Sequence, residues 1–196
     1  MMLLFLLLTS TIASHSLAQI DRSKYPSLRA LTNFNTTRFL GTWYEIERTP
    51  NQNEINQKCS IIGYKLIPNL PLIAFILSKD KTTGEISRLP ASDTPLGQHL
   101  ARWDFRYPAN LQESNGITSI LDTDYVNYAI KTLVQQKKDR NSGYMLTVWI
   151  LSREKTISKD NYNRAMDVLR SNNISPNELQ QVDQLGCDNI LRNYCY

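Results

Sequence analysis

Eight short β-rich runs follow one another between residues 42 and 152, each closed off by turn residues, with no helical pattern between them. They cover 42–49, 59–67, 72–79, 84–89, 98–107, 117–123, 125–135 and 143–152. Between them lie Pro68-Asn69, Lys79-Asp80-Lys81, residues 90–97, Pro108-Ala109-Asn110, Asn115-Gly116 and Asn141-Ser142-Gly143. Strands punctuated this regularly specify an all-β sandwich or barrel. Within 99–107, Ala101, Trp103, Phe105 and Tyr107 share one face, and Arg102, Asp104 and Arg106 share the other. One side therefore suits an apolar interior and the other suits water. Residues 144–151 are instead apolar almost throughout. Such a strand is buried on both faces and needs a cover on its outer side. The stretch KDNYNRAMDVLRSNN supplies one: Tyr162, Ala165, Met166 and Leu169 recur at helical spacing, Ser158 stands as N-cap and Asn172-Asn173 stops the run. Closing eight strands on themselves also removes the exposed edges that long β-runs leave. The expected architecture is an eight-stranded up-and-down antiparallel barrel with one C-terminal α-helix packed outside.

Three motifs lie on this frame in order. Gly41-Thr42-Trp43 heads the first strand, Thr123-Asp124-Tyr125 opens TDYVNYA, and Arg153 follows the last strand in VWILSRE. Together they resemble the three signatures of the lipocalins, secreted barrels that carry small apolar molecules. The later SNNI and DQLGC narrow the resemblance to the branch of apolipoprotein D and its insect relatives, and it covers nearly all of 26–188. It implies that Trp43 closes the narrow base of the barrel and that Arg153 lays its guanidinium over the indole, a contact of roughly 1–2 kcal/mol when desolvated. It also implies a ligand cavity with Trp149 in it and Tyr64 as a further wall.

Strand alternation adds Trp103 and Phe105 to these cavity candidates, and Tyr128 and Met145 complete the set. A barrel of eight strands holds one small ligand. Aromatics spread over several of its strands favour a flat or elongated apolar molecule, with tyrosine hydroxyls and indole N–H groups able to bond a carboxylate or carbonyl on it.

Three cysteines, Cys59, Cys187 and Cys195, allow at most one intramolecular disulfide, and the residues alone leave three pairings open. The resemblance implies Cys59 with Cys187, leaving Cys195 as a free thiol able to link a partner or a second copy. Pairing of Cys187 with Cys195 is the alternative. The family's second disulfide is absent on both sides, where this chain has Tyr25-Pro26 and Ile130-Lys131-Thr132.

The first residues form an uncharged apolar run ending in Ser16-Leu17-Ala18, which reads as a secretory signal over 1–18 followed by a single domain over 19–196 with a short tail from 188. That run is too short to span a bilayer, and no stable membrane insertion is expected. The net charge is +4 with scattered basic residues. The densest cluster, Lys137-Lys138-Asp139-Arg140, reads as a solvated hairpin loop, so no nucleic-acid partner is expected. Asn35 and Asn173 begin glycosylation sequons, the second followed by Pro176, which disfavours modification.

Catalytic signals are sparse. Past the expected leader His99 is the one histidine, which excludes a His-rich metal site, and no nucleophile elbow, Cys-x-x-Cys, P-loop or dinucleotide fingerprint occurs. Glu45 and Glu47, two apart on one strand, share a face; as an interior pair they would be buried carboxylates with perturbed pKa, but a barrel-end or solvent-facing position is the expectation. The expected function is extracellular binding and transport of a small hydrophobic ligand, of lipid, fatty acid, steroid, retinoid or bilin class, without a cofactor or metal. One alternative is an isomerase working through a free Cys59 thiol, as in prostaglandin D synthase among the lipocalins. Another is an interaction protein linked through Cys195.

Overall fold

A computed structural model describes residues 20–108, 115–139, 142–188 and 190–191. The expected leader and Cys195 lie outside the described residues. Among the described residues ten strands form: β1 Ile20–Arg22, β2 Gly41–Arg48, β3 Gln57–Lys65, β4 Leu72–Asp80, β5 Ile86–Pro95, β6 Arg102–Arg106, β7 Gly116–Thr123, β8 Tyr128–Gln136, β9 Tyr144–Ser152 and β10 Gln180–Gln181. Two helices join them, α1 Thr36–Phe39 and α2 Lys159–Ser171.

Strands β2 to β9 pair in sequence, all antiparallel, and β9 returns to β2 to close an eight-stranded barrel. β2 divides its length between two partners: Gly41 to Tyr44 pair β3, and Tyr44 to Arg48 pair β9. β1 then lies along the start of β9, and β10 along the end of β2. The two short strands cover the stretches of edge that the staggered closure leaves exposed.

Where the runs differ from expectation, backbone chemistry explains it. β5 continues through Pro90 to Pro95 rather than ending in a turn at 90. Pro90 pairs Phe75 of β4 but precedes Ser92, where pairing to β6 begins, so its missing N–H falls where one side of the strand is unpartnered. β6 is shorter than expected because His99 takes a left-handed φ of 55° and turns the chain just before it. β8 starts late because the Asp124 carboxylate accepts from the backbone N–H groups of Val126, Asn127 and Tyr128 and holds them in a turn.

Three apolar clusters result. One fills the barrel, including Phe39, Trp43, Tyr64, Trp103, Phe105, Leu133 and Trp149. A second lies outside, where Ile130, Val148 and Ile150 meet Ala165, Met166 and Leu169 of α2. This is the cover that the doubly apolar β9 requires, and Ser158 caps the helix by accepting from Asn161 N–H. The third surrounds a disulfide between Cys59 and Cys187. That bond excludes the Cys187–Cys195 alternative. It also removes the free Cys59 thiol on which an isomerase would depend, because Cys59 sits in this third cluster with its sulfur already bonded.

Candidate ligand-binding site

The barrel has a sealed end and an open one. At the sealed end, Asn35 caps α1 by accepting from Arg38 N–H, which brings Phe39 under the barrel. The Phe39 ring stacks on Trp43 at 4.9 Å, and the indole N–H donates to the Phe39 carbonyl at 3.0 Å. Arg153 lies across the other indole region with Cζ 3.6 Å from a ring centroid of Trp43. Its guanidinium donates to the carbonyls of Arg38, Phe39, Thr42 and Tyr125. Thr123 holds the turn above by accepting from Tyr125 N–H, while Gly41, at φ 93°, starts β2 in a conformation few other residues take.

Toward the open end a cavity of about 230 Å³ occupies the lumen. Ile62, Ile76, Leu89, Phe105, Leu133, Met145, Trp149 and Leu151 form its apolar wall. Residues 51–54 of the β2–β3 loop reach over it, and the Glu54 carboxylate accepts from the Trp149 indole N–H at 3.3 Å.

The lumen also holds charge that alternation did not reveal. Glu45 and Arg48 face inward and pair at 2.9 Å, both nearly inaccessible to solvent. A β-bulge between Glu45 and Glu47 separates the two acids: Glu45 enters the barrel, whereas Glu47 turns outward and accepts from Tyr162 of α2 at 3.1 Å. The expectation that they share a solvent-facing side is therefore corrected. Burial, reinforced by the charge of Glu54, pushes the Glu45 carboxyl up to about 8 against the pull of Arg48. Arg48 further donates to Ser60 and to the carbonyls of Glu54 and Gln57, so it fastens the loop to the lumen. Asp93 of β5 and Lys131 of β8 are also buried inside. Burial raises the Asp93 carboxyl to about 7, while Lys131 opposes the shift. Burial likewise lowers the Lys131 ammonium, against the attraction of Asp93, Glu45 and Glu54.

The residues read as cavity wall are not all brought together. Trp149, Phe105 and Met145 border the cavity. Tyr64 lies in the barrel core, its ring 5.1 Å from Phe39 and its hydroxyl without a hydrogen-bond partner. Trp103 is at the sealed end, edge-on to Phe34 at 5.2 Å. It borders a second, more open cleft of about 730 Å³ between residues 33–37 and 95–100, most of whose other walls are polar. Tyr128 does not line the lumen. It faces α2, packs in the outer cluster and donates to Asp122, which also holds Arg164 of the helix.

Among the described residues no group of three or more His, Cys, Asp and Glu is arranged to hold a metal ion, and no helix is long and apolar enough to cross a membrane. Lys137 of the basic loop pairs with Asp21 at 2.8 Å. Asn35 and Asn173 are both exposed.

Comparison with known proteins agrees with this geometry. A family model described as a lipocalin-like domain matches residues 34–184. Insecticyanin-B of Manduca sexta is 26% identical over 151 residues, 74% of this chain and 71% of that protein. Apolipoprotein D of Bos taurus is 28% identical over 172 residues, 84% of each chain. The solved structure of insecticyanin from the same moth superposes with a TM-score of 0.70 at 22% identity, over 85% of this chain and 89% of that one. Lobster apocrustacyanin A1 gives 0.62 at 17% identity, over 76% and 79%.

Proposed function

The chain belongs to the lipocalin family, and from that premise we propose that it is an extracellular carrier. It binds one small hydrophobic molecule reversibly in the barrel lumen and transports it without chemical change. The observation that carries this reading is the lumen itself: a cavity with one apolar wall of Trp149, Phe105, Leu133 and Met145 and a polar remainder that includes Glu45, Gln57 and Lys131, lying in a barrel whose other end is sealed by Trp43 and Arg153. The driving force is apolar area removed from water, roughly 25 cal/mol per Å², less the cost of immobilising the ligand. Export is supported by the Cys59–Cys187 disulfide, a bond that persists in oxidising compartments.

Native mass spectrometry of the protein, purified from its medium without lipid stripping, tests the proposal. A discrete added mass of a few hundred daltons, lost on denaturation, is expected for a drug-sized or lipid-sized occupant. Protein that carries no such mass, and binds none of a panel of fatty acids, steroids, retinoids and bilins, overturns it.

A further inference from the structure

Lys131 is the anomaly of the lumen. Its side chain points inward from β8 and is 3% exposed. A buried ammonium is normally matched by a carboxylate in direct contact. Among the described residues, none comes within 4.0 Å of Lys131 Nζ, and the ammonium makes no hydrogen bond. Three aromatic rings surround it instead: Nζ lies 4.9 Å from the Trp149 centroid, 5.4 Å from Phe105 and 5.8 Å from Tyr64. Ring faces attract the charge but cannot accept its three N–H donors as an anion would.

Lys138, exposed at the end of the β8–β9 hairpin, also borders the cavity but stands in water, and the acidic groups nearby are committed or distant. Glu45 is held by Arg48; Glu54 is held by Arg48, Asn51 and Trp149. Asp104 of β6 pairs with Arg106 on the outside and reaches Asp93 only through space. Asp93 is the strongest attraction on Lys131, yet its carboxylate completes no hydrogen bond of normal geometry, although Thr118 is near enough to favour its charged form. Tyr64 adds a buried hydroxyl without a partner. Lys131, by contrast, lines the cavity.

Resting on the carrier reading above, we infer that Lys131 is the anchor for an anionic head group, and that the cargo is an apolar carboxylic acid. Its carboxylate accepts from Lys131 Nζ within the aromatic ring, and its chain runs past Leu133 and Met145 toward the mouth. An alcohol or ester of equal length fills the same apolar wall but leaves the ammonium unneutralised. Asp93 sets the pH range. Ionised, it competes for Lys131 and repels the incoming anion; with a proton bound, it does neither. Binding of the acid therefore weakens as the pH rises through neutrality, the same direction in which loss of the Lys131 proton acts.

Dodecanoic acid and dodecan-1-ol, titrated calorimetrically into the full protein, separate head group from chain. The parent is expected to prefer the acid by roughly tenfold or more, the scale of one hydrogen bond to a charged group. Lys131→Met keeps the alcohol affinity and loses the preference. Should that variant leave Asp93 unpaired and fail to fold, the double variant Lys131→Met with Asp93→Asn removes both charges together and is expected to show the same loss. Asp93→Asn alone retains the preference and makes it less pH-dependent between about pH 6 and 8. Equal affinity of the parent for acid and alcohol, or an undiminished preference in the Lys131 variants, overturns the anchor while leaving the carrier standing. A parent that binds neither molecule nor any other apolar probe overturns both.

Discussion

The Glu54 carboxylate and the Trp149 indole N–H meet at 3.3 Å across the mouth of the barrel. One belongs to a loop and the other to the wall of the lumen, so the contact fastens a lid to the site that it covers. Glu54→Ala keeps the Arg48 bonds to the carbonyls of Glu54 and Gln57 but is expected to loosen residues 51–54 over the mouth and to speed escape of a bound apolar probe several-fold, with a smaller effect on equilibrium affinity. Stopped-flow displacement and hydrogen exchange across the loop measure the two effects, and unchanged rates would show that the loop takes no part in gating.

Trp43 and Trp149 separate stability from binding. Trp43 is fully buried, stacked on Phe39 and covered by Arg153. Trp43→Ala is expected to cost about 3–5 kcal/mol of stability in a denaturant titration. Trp149→Ala removes a wall of the cavity and weakens ligand binding about tenfold or more while the protein stays folded. A Trp149 variant that binds as tightly as the parent would remove that residue from the site.

The Cys59–Cys187 bond joins residues 128 apart. Breaking it with Cys187→Ser frees a long loop in the unfolded chain and is expected to cost about 2–4 kcal/mol. The segment before Cys187 retains bonds of its own: Gln184 donates to the carbonyls of Glu45 and Ser60, and Cys59 N–H donates to Asp183 O. The barrel therefore persists at room temperature, with a midpoint of thermal unfolding lowered by roughly 5–15 °C. A midpoint that does not move would mean that these hydrogen bonds suffice.

Buried acids make stability depend on pH. In the unfolded chain Asp93 and Glu45 ionise near 4, whereas in the barrel they do so at about 7 and about 8. Below about pH 4 both states hold the protons and burial carries no ionisation penalty. Between the unfolded and folded values only the unfolded chain gains by ionising, so stability present in acid is lost as the pH rises toward 8. Asp93→Asn is expected to flatten the decline of the thermal midpoint between about pH 5 and 7, and an unaltered slope would show that Asp93 is ionised throughout.

The plug was legible in the sequence because it depends on short motifs: Gly41-Thr42-Trp43 and Arg153 meet as the resemblance implied. The eight barrel strands were legible from turn residues, whereas β1 and β10, of three and two residues, are too short to show a pattern. The interior charge was not legible. A lysine or aspartate in a strand ordinarily reads as solvent-facing, and Lys131 lies inside the β-rich run 125–135 and Asp93 inside the connecting segment 90–97, so nothing local marks either as a lumen residue. Tyr128 faces α2 and not the lumen: β8 is buried on both faces through most of its length, and alternation carries no sign where neither side meets water. Glu45 and Glu47 share a face by simple counting, and a single bulge overrides the count.

Closure through β2 and β9 also governs how the molecule comes into being. The first barrel strand waits for the last, and more than 100 residues separate Tyr44 from its partner Ser152. Until β9 is available, the β2 edge is unpaired and the lumen is a groove rather than a chamber. Contacts of such long sequence separation form slowly, and an open edge invites pairing with other chains. Newly made chains are therefore most prone to aggregate in the interval before the ring is complete.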